Sequence, residues 1–133
     1  MKAYHICYHT AEDGITAAAV IYEYLKSINK GNRKNIKFFF YKINYSMELS
    51  KVLPSKMPID DEVYFVDYSF SKESNIDYMF NLANDGIKIV WIDHHKTSED
   101  LIYNGNLESR NIYNHASIKY YIDTNYCGAF LAY

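Results

Sequence analysis

Short runs of apolar residues alternate along the chain with longer stretches in which apolar residues recur every three to four positions. The short runs are typical of strands buried on both faces of a sheet, and the longer stretches are typical of amphipathic helices. The predicted strands cover 3–9, 35–43, 62–70 and 87–93, and one or two more lie within 111–123. The predicted helices cover 12–32 (closed by Gly31), 46–53, 72–86 and 96–105, and another begins at 127.

This alternation predicts an α/β fold, because a helix that connects two parallel strands crosses over one face of the sheet. We expect a Rossmann-like three-layer domain with a mainly parallel sheet and helices on both faces. The 133 residues are enough for one domain with a substantial core. The apolar stretch 128–133 ends the sequence without a capping residue, so we expect the domain to be truncated within a helix at its C-terminal end.

The composition narrows the functional classes. Hydrophobic residues make up 49% and charged residues 23% of the chain, which is typical of a globular protein. The formal net charge of -2 argues against bulk nucleic-acid binding, but it is compatible with a phosphorylated small molecule or a short oligonucleotide as partner. No apolar stretch is long enough to span a membrane.

Cys7 and Cys127 are too few for a disulfide scaffold and are expected to be reduced thiols in a cytoplasmic protein. Nothing in the sequence indicates an oligomeric state.

Polar side chains with metal-binding or catalytic chemistry stand at the ends of the predicted strands. The clearest example is the segment IVWIDHHK (89–96), in which an apolar run ends in an acid and two histidines. The complete set is His9, Asp13, Asp67, Asp93, His94, His95 and Asp123. Because the carboxyl ends of parallel strands meet at one edge, where ligands of such sheets bind, we expect these side chains to line one crevice.

Each of these residues also has a purely structural interpretation. An aspartate after a strand is most often a helix cap or a turn former, which would account for Asp13, Asp67 or Asp123 taken singly. His5, within a strand, and His115, after a turn, are expected to be structural. Independent caps do not explain why His and Asp residues occupy four strand ends on one edge, and we therefore favour a shared site.

Carboxylate and imidazole ligands together suit divalent ions such as Mn²⁺, Mg²⁺, Fe²⁺ and Zn²⁺, whereas the lack of a thiolate in the set argues against a structural zinc site. A carboxylate shared between two ions about 3.5–4 Å apart would give the arrangement used in phosphoryl hydrolysis. The ions would acidify a bridging water and neutralise charge on the phosphate oxygens. A neighbouring histidine could donate to those oxygens in the transition state.

The order of these residues resembles that of the DHH phosphoesterase superfamily, which is named for the Asp-His-His that stands here in WIDHHK. Four segments carry the resemblance: YHTAEDGITAAAV, VYFVDYSF, DHHKT and YIDTNYCGAFLAY. An isolated Asp-His-His is a weak signal, but four motifs in the right order at strand ends are a strong one. The resemblance covers most of the chain and implies that residues 1–133 form the catalytic domain.

The resemblance implies a role for each matching residue. Five side chains are implied to bind metal: His9, Asp13, Asp67, His94 and Asp123. Asp67 would bridge two ions, usually manganese, with magnesium as an alternative. The other two residues are implied to be catalytic, Asp93 by orienting a neighbouring group and His95 by contacting the substrate phosphate.

Two departures from the family pattern affect these expectations. The fullest first motif has a second aspartate two residues from the first, but Ala11 and Ile15 stand at that spacing from Asp13. Glu12 either compensates for the missing carboxylate or is a first-turn acid favoured by the helix dipole. The protein accordingly holds either two ions or one. We also expect the C-terminal substrate domain of family enzymes to be missing from these 133 residues, which therefore do not identify the substrate.

The resemblance therefore implies a metal-dependent phosphoesterase acting on a nucleotide phosphodiester, such as an oligonucleotide, a cyclic dinucleotide or a nucleoside bisphosphate. One alternative is a hydrolase of pyrophosphate or another phosphoanhydride that uses the same metal site. The other is a catalytically weakened nucleotide-binding module, which the reduced first motif makes credible. Manganese-dependent turnover would separate the two enzymes from the binding module.

Overall fold

Five parallel strands form one sheet in the part of the chain that the computed structural model describes, residues 2–105, 107 and 110–124. The strands are β1 (Lys2–His9), β2 (Ile36–Ile43), β3 (Glu62–Val66), β4 (Lys88–Asp93) and β5 (Ile118–Ile122). The helices are α1 (Glu12–Ile28), α2 (Leu49–Val52), α3 (Glu73–Asn84) and α4 (Lys96–Asn104), with 3₁₀ segments at Lys30–Asn35 and Ile112–Asn114. No helix within these described residues is long and apolar enough to cross a membrane.

The strand order is β2-β1-β3-β4-β5, and every neighbouring pair is parallel. The chain moves outward from β1 to β2 and then returns with β3 to the other side of β1. The loops after β1 and β3 consequently run in opposite directions, and sheets of this kind bind ligands at the carboxyl edge beside such a reversal. The structure confirms the predicted α/β architecture, and it places the carboxyl ends of all five strands on one edge.

An apolar cluster on each face of the sheet holds the three layers together. On one face, Ile6 of β1 packs with Ile21 and its neighbours on α1. On the other face, Cys7 and Trp91 from the sheet pack with Met79 of α3. Successive strand residues contribute to opposite clusters because their side chains point to opposite faces. Every residue of β3 is buried, since this strand lies at the centre of the sheet.

The third strand is shorter than the sequence predicts. The strand predicted over 62–70 ends at Val66, because Asp67 adopts a left-handed backbone conformation with φ of +56° and turns the chain out of the sheet. Tyr68 and Phe70 are nevertheless buried in the core. Hydrophobicity therefore continues past the end of the strand, and the apolar pattern alone does not reveal where the strand stops.

Two other predicted boundaries also change. The first helix ends at Ile28 rather than Gly31, because the side-chain amide of Asn29 donates to the carbonyl of Leu25 at 2.8 Å and a 3₁₀ segment follows. The region 111–123 contains a single strand, preceded by the second 3₁₀ segment. The helix predicted to begin at 127 lies outside the described residues.

Gly14 allows α1 to begin directly against the end of β1. A Cβ atom at this position would lie 2.0 Å from the backbone oxygen of His9, so a side chain could be accommodated only by movement of the backbone. The glycine therefore determines how closely the first turn of α1, which carries Asp13, approaches the carboxyl edge.

We expect Gly14→Ala to destabilise the fold by about 1–3 kcal/mol, the usual cost of overpacking a tight contact. Helix propensity alone predicts the opposite sign, because alanine favours a helix over glycine. The matched control is Gly31→Ala, where a Cβ atom would meet nothing within 4 Å. Chemical denaturation measures both unfolding free energies. Equal values for the two variants would show that the contact at Gly14 does not constrain the helix.

Candidate metal centre

Two central strands bring four side chains with metal-binding chemistry together at the carboxyl edge. Asp67 follows β3, Asp93 ends β4, and His94 and His95 come directly after it. Each offers one ligand atom, and these atoms all lie within 4.8 Å of one another. The strands are adjacent, and the backbone N–H of Asp67 donates to the carbonyl of Ile92 at 2.9 Å. We refer to these four residues as the Asp-His cluster.

Asp67 is the most constrained member of the Asp-His cluster. Its left-handed backbone is a conformation that aspartate and asparagine tolerate better than most residues with a side chain. Only 2% of the residue is exposed, and its Oδ1 lies 2.8 Å from Nε2 of His94. Burial raises the pKa of the Asp67 carboxyl above its usual range, while His94 partly opposes the shift. A carboxylate whose charge is poorly stabilised by its surroundings is well suited to bind a cation.

Asp93 is fully buried, and both of its carboxylate oxygens are engaged. Oδ1 lies 2.6 Å from Nδ1 of His95, and Oδ2 accepts a hydrogen bond from the hydroxyl of Ser98 in the first turns of α4. A hydrogen bond from a ring nitrogen to a carboxylate fixes both the tautomer and the orientation of a histidine. Asp93 therefore holds the His95 ring in place and leaves its Nε2 available for another partner.

The two adjacent histidines have different partners. Although their ring centroids are only 4.5 Å apart, His94 contacts Asp67 and His95 contacts Asp93. Nε2 of His95 lies 3.4 Å from the hydroxyl of Tyr45, at the border of a cavity. The two rings are therefore positioned for different tasks.

Tyr45, in the loop between β2 and α2, is a residue of this site that the sequence did not reveal. Its ring stacks on that of His9, with centroids 4.6 Å apart and an interplanar angle of 17°. Burial raises the pKa of Tyr45 to about 12, and the carboxylates of Asp93 and Asp67 add to the shift, so the phenol keeps its proton at neutral pH. Tyr45 lies just beyond the predicted strand 35–43, so its position alone could have indicated it. Only His and Asp side chains at the strand ends were considered as candidates, however.

The other predicted metal ligands lie outside the Asp-His cluster. Within the described residues, His9, Asp13 and Asp123 do not belong to the group whose ligand atoms approach within 4.8 Å. The ring of His9 lies against Tyr45, and Asp13 is exposed in the first turn of α1. The backbone N–H of Asp123 donates to the carbonyl of Asp93 at 3.2 Å, which fixes the end of β5 beside the end of β4.

The two histidines expected to be structural have partners elsewhere. His5 is buried within β1, with Nε2 2.8 Å from Asp61 and Nδ1 2.9 Å from the hydroxyl of Tyr41. Nε2 of His115 lies 2.9 Å from Asn84, on the amino-terminal side of β5. Both rings are therefore occupied away from the carboxyl edge.

A cavity of about 860 Å³ opens beside the Asp-His cluster. Its lining includes His95, Tyr45, Phe70, Thr97 and Leu101. His95 therefore borders both the cluster and the cavity. The volume lies within the range of roughly 300–1,000 Å³ that is usual for small-molecule sites.

The donor atoms of the Asp-His cluster fit a divalent metal ion. Two carboxylates and two imidazoles are a hard-to-borderline ligand set that suits manganese and related ions. The desolvated carboxylate of Asp67, held 2.8 Å from an imidazole nitrogen, offers the negative charge that such an ion requires. The arrangement can therefore hold a cation at the carboxyl edge, with His95 beside it.

Comparison with known proteins is consistent with this geometry. The family model described as "DHH family, N-terminal domain" matches residues 4–132. The matched range includes the whole Asp-His cluster, together with His9, Asp13 and Asp123. No individual curated protein matches the chain at a significant level.

Proposed function

The chain belongs to the DHH family, whose members are metal-dependent phosphoesterases, and from this premise we propose that it hydrolyses a phosphodiester bond of a nucleotide with manganese as its metal ion. The Asp-His cluster at the carboxyl edge is the observation that carries the proposal. The substrate classes are short oligonucleotides, cyclic dinucleotides and nucleoside bisphosphates. In this proposal the chain supplies the catalytic domain.

Asp67 and His94 are the proposed centre of the metal site. Their facing atoms are 2.8 Å apart, and among the described residues no second hydrogen-bond partner holds either side chain away from an ion. His9, Asp13 and Asp123, on flanking elements at the same edge, are proposed to complete the ligand set. When bound, manganese would supply Lewis acidity toward the phosphate oxygens and an activated water at neutral pH.

His95 is the proposed donor to the substrate phosphate. Its Nδ1 is paired with the buried carboxylate of Asp93, and its Nε2 is at the border of the cavity. To donate from Nε2 while Nδ1–H is bound to Asp93, His95 acts as the imidazolium, which the neighbouring carboxylate stabilises, and a donor held in this way needs little reorganisation when negative charge develops on the phosphate oxygens. Asp93 would act through His95, because its second oxygen is already occupied by Ser98.

We favour an organic phosphodiester over pyrophosphate because of the surroundings of His95. Pyrophosphate is small and fully anionic, and it would make no use of a large cavity lined by Tyr45, Phe70 and Leu101. A phosphodiester that carries a nucleoside can place its charged phosphate at the Asp-His cluster and its uncharged part in the cavity.

The test is hydrolysis by chelator-treated protein to which Mn²⁺ is added back. We expect the protein to release mononucleotide from a dinucleotide in the presence of Mn²⁺, to lose this activity in excess EDTA, and to hydrolyse pyrophosphate far more slowly. Faster hydrolysis of pyrophosphate would replace this proposal with the phosphoanhydride alternative. Manganese-dependent nucleotide binding without turnover would favour a weakened binding module, consistent with Ala11 and Ile15 at the two positions where a second carboxylate would stand.

A further inference from the structure

We propose that the cavity beside His95 binds the nucleoside joined to the reacting phosphate, and that Tyr45 and Leu101 are its specificity-determining walls. This inference rests on the proposed function, because it assumes a phosphate at the Asp-His cluster. It adds the place where the uncharged part of the substrate binds. We refer to this cavity as the nucleoside cavity.

One wall of the nucleoside cavity is a single face of α4. Thr97 and Leu101 line the cavity four residues apart, which places them on the same side of the helix, and Gly105, directly after the helix, lines it as well. The nine residues of α4 correspond to about 14 Å of helix length. The groove therefore begins at the proposed phosphate donor and runs away from the Asp-His cluster along α4.

The aromatic residues of the lining, Tyr45 and Phe70, are already held in position. Tyr45 is stacked on His9, and its hydroxyl lies 3.4 Å from Nε2 of His95. Phe70 is 1% exposed and packs edge-on against Trp91, with centroids 5.0 Å apart. A wall fixed before binding reduces the ordering cost of the complex and favours a rigid, flat ligand group such as a nucleobase.

Asn75 of α3 holds the loop that carries Tyr45 in place. The buried side chain of Asn75 accepts a hydrogen bond from the backbone N–H of Leu49 at 2.9 Å. It also donates to the carbonyl of Met47 at 2.8 Å and to the hydroxyl of Tyr68 at 3.1 Å. The bonds to Leu49 and Met47 anchor the segment immediately after Tyr45, and the bond to Tyr68 ties Asn75 to the core, so the Tyr45 ring does not need to be ordered by the ligand.

The charges around the nucleoside cavity favour the uncharged nucleoside over the phosphate group as its occupant. Among the lining residues that the structure describes, none is a lysine or an arginine, and the carboxylate of Asp100 is paired with Lys96 at 3.4 Å. The lining therefore offers a phosphate group no free cation, whereas the metal site attracts it. The uncharged base and sugar need no cation, and their removal from water against Tyr45, Phe70 and Leu101 is favourable.

Polar groups in the lining favour a nucleoside over a plain alkyl group. The hydroxyls of Ser69 and Thr97 lie 2.6 Å apart at the cavity, and the carboxylate of Asp100 is exposed beside them. Hydroxyls can donate to or accept from a base edge, and a carboxylate can accept from ribose hydroxyls or an exocyclic amine. An alkyl chain would leave these groups without a new partner.

The test compares AMP with ribose 5-phosphate, which carries the same phosphate and sugar but no base. Calorimetric titration into Mn²⁺-loaded protein should show AMP binding roughly tenfold more tightly, the contribution expected from one base packed against an aromatic wall. Leu101→Trp should fill the cavity and remove most of the difference. Leu101→Ala should reduce it by removing one wall. The matched control is Tyr103→Trp, at a residue of α4 that is 58% exposed, and it should keep the wild-type difference.

The outcomes separate this inference from the proposed function, because Mn²⁺ affinity and dinucleotide hydrolysis are measured on the same samples. Equal affinities for the two ligands, with metal uptake and hydrolysis intact, would overturn the nucleoside cavity alone. A preference for AMP that survives in both Leu101 variants, each shown to be folded by thermal unfolding, would overturn it as well. A protein that takes up no Mn²⁺ and binds neither ligand would overturn the proposed function and the nucleoside cavity together.

Discussion

His95→Ala is expected to reduce manganese-dependent phosphodiester turnover by roughly 10²–10³-fold, the usual effect of removing one transition-state donor. Its Mn²⁺ affinity should stay close to that of the wild type. The physical reason is that the His95 ring is held by Asp93, whereas the proposed metal ligands Asp67 and His94 are paired with each other. Steady-state kinetics and calorimetric titration with Mn²⁺ measure the two effects separately.

His94→Ala and His115→Ala complete this comparison. His94→Ala removes a proposed metal ligand and should lower Mn²⁺ affinity, while His115→Ala removes a ring that contacts Asn84 away from the carboxyl edge and should leave both quantities unchanged. Equal loss of metal in the His94 and His95 variants would contradict the separation of roles between the adjacent histidines.

Asp93→Asn tests whether this carboxylate acts through His95. Turnover should fall by roughly 10–100-fold, the range seen when a residue that orients a functional group is altered. The double variant Asp93→Asn/His95→Ala should be no slower than His95→Ala alone, because the two side chains act as one unit. Additive losses would show instead that Asp93 has a role independent of His95.

Asp67→Asn is expected to have opposite effects on metal binding and on the stability of the metal-free protein. Asparagine tolerates the left-handed backbone of this position, so the fold should be kept while the charge is lost. Mn²⁺ affinity should fall by more than the roughly 10–100-fold caused by losing an outer partner of a metal ligand. The control is Asp85→Asn, at an exposed aspartate that follows α3.

The stability effect follows from the direction of the Asp67 pKa shift. Burial raises this pKa in the folded state, so the folded protein holds the proton more tightly than the unfolded chain. Stability is therefore lost as pH rises from the unfolded value of about 3.9 through the raised folded value. The asparagine variant has no ionisable group at this position and does not lose stability in this way. At pH 7 the EDTA-treated variant should therefore melt at a higher temperature than the EDTA-treated wild type. A variant that melts lower and still binds Mn²⁺ would contradict both parts of the prediction.

The fold was largely predictable because its signals are local and strong. Apolar runs alternating with helical periodicity predicted the parallel sheet, and the strand-end positions of His9, Asp67, Asp93 and Asp123 predicted a shared edge. The sequence did not predict the end of β3, since burial of the following aromatic residues continues the apolar pattern after the backbone has left the sheet.

The internal geometry of the site was less predictable because it depends on contacts between distant segments. The family resemblance separated the roles of the two adjacent histidines, but the contacts of His94 with Asp67 and of His95 with Asp93 depend on side-chain direction at the end of β4. Asn75 of α3 anchors the segment that follows Tyr45, and so helps to hold the Tyr45 ring at the site. The engagement of Asp93 by Ser98 likewise depends on where α4 begins.

The position of bound manganese is the most direct test of the metal centre. Crystals of the wild-type chain grown with Mn²⁺ should show an anomalous diffraction peak in contact with the Asp67 carboxylate and Nε2 of His94, and the peak should be lost in Asp67→Asn. A peak at the buried pair of His5 and Asp61, or no peak at the carboxyl edge at saturating Mn²⁺, would contradict the assignment of the metal to the Asp-His cluster.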